Sequence, residues 1–318
     1  MRKETQRSTN PFPYSDTNKR YHTFDYFVRK TFGEKCAKIS LDAGFTCPNI
    51  DGRASTGGCI YCKNGSSSSH GKSLREQYLA GAEVMKAKWD CRLFIPYLQA
   101  HTNTYAPIEV LRRVYEEVSS FEGAVMLSVA TRADCLEDEV VELLGEVSGK
   151  IPLTVELGLQ STKDETAALI NRGHTYGQFL EGYEKLRAQG GNVRIAVHLI
   201  NGLPGEDPGD MVESAKKVGA LRPDMIKLHL LHVLRGTPLS AMYNMGKYVP
   251  MTLEEYVSAV CDQLEVIPAE TVIGRVTGDG VKEDLTAPLW SLKKTVVANE
   301  IDKELFRRDS FQGKYFDL

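Results

Sequence analysis

Cys47, Cys59 and Cys62 stand within sixteen residues, in the run CPNIDGRASTGGCIYC, just after a short apolar stretch (Ile39 to Ala43) that reads as a strand. Three thiolates on one loop can hold a metal centre yet leave a four-coordinate iron or zinc one ligand short. An open coordination position is what a catalytic centre needs and a structural one avoids. Two other readings compete with an iron–sulfur centre. Structural zinc would need a fourth ligand, and His70, eight residues past Cys62, could complete a Cys3His site. A redox CxxC would open a helix beside a strand and leave Cys47 unused. The other four cysteines, Cys36, Cys91, Cys135 and Cys261, have no partner at ligand spacing and read as small buried hydrophobes.

Such a loop needs a rigid frame. Short, mostly apolar runs at 36–43, 93–100, 124–131, 153–160, 193–201 and 225–233 read as strands covered on both faces. Amphipathic stretches at 73–89, 107–121, 136–148, 164–172 with 176–189, and 208–220 read as helices between them. Pro107 sits near a helix start, where its missing N–H costs nothing, and Gly190–Gly191 closes the helix before the fifth strand. Six strand–helix alternations imply right-handed parallel crossovers. The expected fold is α/β, a partial (β/α)6 TIM-like barrel over residues 36–245. Residues 1–35 read as a basic, aromatic N-terminal arm. Residues 246–318 read as an α-rich C-terminal extension packed on the barrel, with helices at 252–267 and near 294–308, a strand from Thr271 to Val276 and a GDG turn at 278–280. Ser66–Ser69 reads as a loop.

With 42% hydrophobic and 25% charged residues, the 318-residue chain has the composition of an ordinary globular protein able to bury a substantial core. The net charge of −3 does not advertise a nucleic-acid binder. Its distribution is uneven, because residues 1–35 carry a surplus of four positive charges. No stretch is long and apolar enough to span a bilayer, and the polar N-terminus lacks a signal-peptide core. Seven cysteines, four of them isolated, do not make a disulfide framework, so a reduced, cytoplasmic protein is expected. No P-loop, GxSxG or HExxH motif occurs.

A cysteine loop after the first of six strand–helix units resembles the radical S-adenosylmethionine (radical SAM) superfamily. The C-x11-C-x2-C spacing is longer than the compact spacing common there and is similar to the branch containing the catalytic subunit of Elongator. The segments NPFPYSDTNKRYHTF, YLQAHTNTYAP, SVATRADCL, VELGLQS, INRGH, INGLPGE, HLLHVLRGTP and RVTGDG together resemble the YtqA/YhcC-type radical SAM family, from about residue 10 to 315. The resemblance implies a [4Fe–4S] cluster on Cys47, Cys59 and Cys62, with S-adenosylmethionine chelating the fourth iron and yielding a 5′-deoxyadenosyl radical. It also implies an electron donor of flavodoxin or ferredoxin type.

In a barrel, functional groups collect at the C-terminal ends of strands. Gln99, Thr102 and Asn103 follow the second strand, where the superfamily binds the methionine amine, although the usual Gly-Gly-Glu is absent. An Asn/Thr turn before Pro107 is the plainer reading. Thr131 and Arg132 end the third strand. Glu156 and Gln160, four positions apart on the fourth, would share one face of a regular strand and need polar partners, which the resemblance to ELGxQS-type segments assigns to the cofactor. Arg172 could grip the cofactor carboxylate as a fork or could be a surface arginine. Ile200, Asn201 and Gly202 lie where the superfamily approaches adenine. His229 and His232 could face substrate or be satisfied core residues.

The Elongator-like branch points to wobble-uridine side-chain modification in tRNA. The arm interleaves Phe12, Tyr14, Tyr21, Phe24, Tyr26, Phe27 and Phe32 with its basic residues, a pattern that suits stacking on unpaired bases. Docking of those rings on the barrel explains them at least as well. The alternatives are a radical SAM enzyme on a small metabolite or a protein, and a zinc-stabilised binding module.

Overall fold

The computed structural model describes residues 10–63, 71–190, 192–278, 280 and 282–316. Residues 1–9 of the arm, the Ser66–Ser69 loop, His70, Gly191 and the central Asp279 of the GDG turn lie outside the described residues. In chain order the strands are β1 (Cys36–Leu41), β2 (Leu93–Leu98), β3 (Leu127–Thr131), β4 (Leu153–Gln160), β5 (Val193–Asn201), β6 (Met225–Leu230), β7 (Val233–Leu234), β8 (Val272–Arg275) and β9 (Leu285–Ala287). The helices are α1 (Phe24–Phe32), α2 (Pro48–Asp51), α3 (Leu74–Trp89), α4 (Ile108–Ser119), α5 (Asp138–Ser148), α6 (Asp164–Leu169), α7 (Tyr176–Gln189), α8 (Pro208–Ala220), α9 (Pro238–Asn244), α10 (Leu253–Glu265) and α11 (Lys294–Arg307). Capping boxes at Ser73–Glu76, Thr175–Gln178, Asp207–Asp210 and Thr252–Glu255 start α3, α7, α8 and α10.

Seven parallel strands run in the order β1-β2-β3-β4-β5-β6-β8, and β7 pairs antiparallel with β9. The expected partial barrel is present, and the short strand of the C-terminal extension joins the sheet as its seventh member. The sheet is strongly curled. Lys38 of β1 and Lys227 of β6 both bind Glu156 of β4, and both ammonium groups lie 4.8 Å from the Tyr97 ring of β2. In a flat sheet with strands about 4.8 Å apart, β1 and β6 would be roughly 24 Å apart. Only curvature brings their side chains to one point.

The outer face of the sheet, including Ile39, Leu41, Val155, Leu157, Val197 and Leu228, is buried in one apolar core with the helices. The inner face is apolar only where the strands begin. There Cys36, Ile95, Met126, Ala196, Met225 and Val272 meet Phe24, Phe27 and Val28 of α1. The aromatics of the arm thus serve to plug the barrel. Phe12 and Tyr21 are buried as well, and Tyr14 stacks on His22 at 4.9 Å. α1 was not evident in the sequence. It is started by Thr23, whose hydroxyl accepts from Tyr26 N, and stopped by Gly33 in left-handed backbone (φ 83°). It packs against both edge strands, β1 and β8, while His22 O accepts from Ile273 N at 2.7 Å. The arm therefore lies across the gap that the partial barrel leaves open.

Candidate metal centre and barrel mouth

The cysteine loop crosses the C-terminal end of the sheet. Cys47 caps α2, its carbonyl accepting from Ile50 N (2.8 Å) and Asp51 N (3.2 Å). Gly57 and Gly58 both take left-handed backbone, which Gly adopts without steric cost, and turn the chain so that Gly58 N returns to Asn49 O at 2.8 Å. They form a specific turn. Cys62 N closes on Cys59 O at 2.9 Å. The loop is then held to the segment after α6. Asn171 donates to Thr56 O and Gly58 O and accepts from Ser55 Oγ, while Asn49 donates to Asn171 O. Ile60 N binds Ile170 O, and Leu239 N binds Ile60 O.

Cys59 is buried, Cys47 half-buried and Cys62 exposed. Around the Cys59 sulfur stand Asn49 Nδ2 at 3.6 Å, Arg172 Nη1 at 4.0 Å and the Tyr61 hydroxyl, whose pKa burial and the Cys59 sulfur raise. Arg172 itself is buried and grips the Gly158 carbonyl through Nε and Nη2, so the surface reading of this arginine is corrected. Arg132 binds the Arg172 carbonyl (2.8 Å) and forks onto Asp134 (2.9 and 2.8 Å), with the electrostatic influence of Cys47 reaching its guanidinium. These two arginines tie the third and fourth strand ends to the cysteine loop. Among the described residues no three His, Cys, Asp or Glu side chains converge tightly enough to share one metal ion. A cluster asks for something else, one thiolate on each of three different irons. Three thiols of one loop, the middle one ringed by N–H and O–H groups, fit that donor set. Buried polar atoms without a partner also gather here: Asn49 Oδ1, His101 Nδ1, Thr102 Oγ1 and His174 Nε2.

Several expected cofactor contacts have other partners. The Asn103 amide donates to the carbonyls of Leu98, Ala100 and Ala130, so it shapes its own loop, as the plainer turn reading had it. The Thr131 hydroxyl is engaged with Thr104, which also donates to Cys135 O. Asn201 and Gln263 exchange amide hydrogen bonds (2.7 and 2.9 Å) in a fully buried pair. Gly202 takes left-handed backbone (φ 82°), and what approaches it is Met251, 3.1 Å from where a Cβ would stand. Ile200 lies half-buried against the apolar cluster of Ile170, Leu203 and Leu231. Gln99 accepts from Ser40 Oγ at 2.6 Å, on the inner face of the sheet.

Glu156, too, has its partners within the protein. Its side chain is 0% exposed, Oε1 accepts from Lys38 (2.5 Å), and Oε2 accepts from Lys227 and from His198 Nε2 (2.9 Å). Burial opposes its ionisation, but Lys227, Lys38 and His198 outweigh that and hold the carboxyl well below its usual range. Both oxygens are thus engaged within the protein. Burial, with Lys227 beside it, pushes His198 down to about 4, so the neutral ring carries its proton on Nε2, facing the carboxylate. Burial pushes Lys227 down to about 7, against the pull of Glu156. Gln160 leaves the regular strand: the register shifts between Gly158 and Gln160, and its φ is 79°. Its amide still returns over Gly158, where an added Cβ would meet Gln160 Nε2 at 2.8 Å and Arg172 Nη2 at 3.0 Å. Sequence reasoning missed Lys38, Lys227, His198, Asn49 and Asn171. The signal for the lysines was available, since each is the lone charge in the middle of an apolar strand. His229 lies tilted against His198 (ring centroids 5.0 Å), and His232 lies against Gly278 and Gly280. The Nε2 of each is buried without a partner.

Comparison with known proteins now decides the family. The radical SAM superfamily model matches residues 50–218, and the radical SAM C-terminal domain model matches residues 223–307. The chain belongs to the radical SAM superfamily. YtqA of Bacillus subtilis (strain 168) is 46% identical over 311 residues, 96% of each chain, and the YtqA/YhcC-type membership read from the motifs holds. A tRNA uridine(34) acetyltransferase of Methanocaldococcus jannaschii is 29% identical over 160 residues, 49% of this chain but 28% of that protein. The solved structure of archaeal Methanocaldococcus infernus Elp3, lacking its N-terminus, superposes with a TM-score of 0.64 at 19% identity, covering 87% of this chain and 64% of its own. That similarity shows the shared fold. As a radical SAM protein this chain is an enzyme of that class, and no helix among its described residues is long and apolar enough to cross a membrane.

Proposed function

We propose that Cys47, Cys59 and Cys62 ligate a [4Fe–4S] cluster, that S-adenosylmethionine completes it, and that the enzyme modifies the side chain of wobble uridine in tRNA. When bound, the cluster and S-adenosylmethionine would supply one-electron chemistry for abstracting a hydrogen atom from substrate. The observation that carries the reading is the buried Cys59 sulfur between Asn49, Tyr61 and Arg172, with Cys47 and Cys62 on the same loop. Asn49, Tyr61 and Arg172 orient the thiolate and keep water from it. Thr102, with its unpartnered hydroxyl, and Gln160, over Gly158, are the side chains that would meet the cofactor's polar groups. Cys62, exposed, marks the side on which a flavodoxin or ferredoxin type of donor would dock.

Support for tRNA comes from the relative named for tRNA uridine(34). The arm adds none, because its rings are used in packing. Anaerobic reconstitution tests the first half of the proposal. A brown protein with about four irons, bleached by dithionite, is expected, and a colourless protein with one zinc would reject it. Nucleoside analysis of tRNA from a deletion strain tests the second half, and an unchanged wobble-uridine profile would reject tRNA as substrate.

A further inference from the structure

The inner face of the sheet changes character along its height. Where the strands begin, Met126, Thr154, Ala196 and Met225 are fully buried over the α1 plug. Level with Glu156 and above it, Ser40 is exposed and Gln99, Ala130, Gly158 and Ile200 are half-buried. The strand register puts these residues on one face: Ser40 pairs with Tyr97, Ala130 with Glu156, Gly158 with His198, His198 with Lys227, and Ile200 with His229. The interior is therefore a well, floored by phenyl rings and open toward the cysteine loop.

Around the middle of this well two lysines and an arginine surround one carboxylate. Lys38 and Lys227 hold Glu156, and Arg275, in register beside Lys227, feels both Glu156 and Tyr97. His198 and His229 are kept neutral by burial and cancel none of this charge. Lys38, with 19% of its side chain exposed, has three N–H donors and donates one to Glu156. The His229 Nε2 is buried on the same face without a partner, as is the hydroxyl of Ser128, itself 0% exposed. Two lysines sharing one carboxylate in a low-dielectric well, next to unpartnered hydrogen-bonding groups, are the chemistry of an anion site.

We propose that this well binds the carboxylate or phosphate group of the substrate, held by Lys38, Lys227 and His229 below the cysteine loop. The proposal deepens the reading above, since it names the substrate class that the radical would meet, and it rests on that reading for its catalytic meaning. Anion binding is measured separately from iron content, so the two can fail independently.

The test uses the reconstituted full-length protein with saturating S-adenosylmethionine, and reads the rise in Tm with malonate or inorganic phosphate against chloride at equal ionic strength. Malonate alone giving the rise identifies a carboxylate, and phosphate alone a phosphate. Lys227→Met should weaken the effective anion by about tenfold or more, the loss of one charge-assisted contact. Glu156→Gln should strengthen it, because the competing carboxylate is gone and the bound anion replaces it as the counter-ion that keeps Lys227 protonated. Opposite signs in two variants of one network cannot come from general destabilisation, and Lys38→Met provides the same loss if Lys227→Met does not fold. Three results would overturn the proposal: no rise above chloride, a rise unchanged in both variants, or a rise seen only without S-adenosylmethionine. In the last case the well holds the cofactor's own carboxylate.

Discussion

The strands of the sheet begin among phenyl rings and end among polar atoms that lack partners. At the lower end the arm supplies Phe24, Phe27 and Val28, and the inward-facing side chains they meet are almost all apolar. At the upper end Asn49, His101, Thr102, His174, His229 and His232 carry buried atoms with no hydrogen bond. One end is closed mainly by apolar packing, and the other leaves a concentration of buried polar atoms without partners. The division follows from the parallel sheet. All C-terminal strand ends lie on one side, so loops that bear chemistry gather there and the opposite side is left to stability. Changes at the two ends should therefore separate cluster chemistry from folding.

The sharpest break is at the mouth. Cys59→Ala removes one of the three expected ligands and should abolish retained iron and cofactor cleavage in anaerobic assays. Cys261→Ala, in the 0%-exposed face of α10, should leave both intact. Equal iron in the two proteins would break the comparison. Gly173→Ala follows. Gly173 holds φ 77°, where a side chain costs about 1–2 kcal/mol, and its Cβ would stand 2.1 Å from Asn49 Oδ1. Asn49 must move, and with it a donor to the Cys59 sulfur. The expected outcome is a folded protein by circular dichroism that loses iron on gel filtration. Iron retained at the wild-type level would show that the Asn49 contact is dispensable.

Acid should reveal the same asymmetry. Burial pushes His174, His198 and His232 each down to about 4. Between pH 6.5 and 4 the unfolded chain takes protons at these sites that the folded chain refuses, so stability falls as pH drops. Each group contributes about 1.4 kcal/mol per pH unit in that window. Glu156, held below its ordinary range, acts in the same direction, stabilising above about pH 4.5 and ceasing to do so as it is protonated. His198→Gln should reduce the slope of unfolding free energy, measured in urea from pH 7 to 5, by about one proton's worth. An unaltered slope would mean that His198 titrates normally.

Much of this was legible in the chain, and the reason is periodicity. The runs 153–160 and 193–201 are β4 and β5 as observed, and the stretches 176–189 and 208–220 are α7 and α8. The cysteine trio announced the mouth. What periodicity does not carry is which inward residues meet across the interior. Glu156 was visible as a buried acid, yet its partners come from β1, β5 and β6, the farthest of them 118 residues away, and only the curl unites them. Lys38 and Lys227 each offer a signal, a lone charge inside an apolar strand, which requires a buried partner without naming it. Asn103, Thr131 and Asn201 have partners that were hidden for a different reason. Polar residues at strand ends are also what the loops need to satisfy their own backbone.

The smallest effect should come from the floor. Val28 is 1% exposed, in the α1 face that fills the base of the barrel. Val28→Ala removes two methyl groups from a packed site and should cost about 1–3 kcal/mol. In a chain of this size that lowers Tm by roughly 2–4 °C per kcal/mol or less. Because α1 touches the sheet edges and lies away from the cysteine loop, iron content and affinity for S-adenosylmethionine should be unchanged at temperatures well below the transition. A loss of iron that tracked the loss of stability would show that the mouth senses the plug through the curl of the sheet. The two ends would then be one cooperative unit, and the arm would help set the positions of Lys38 and Lys227 on the strands it braces.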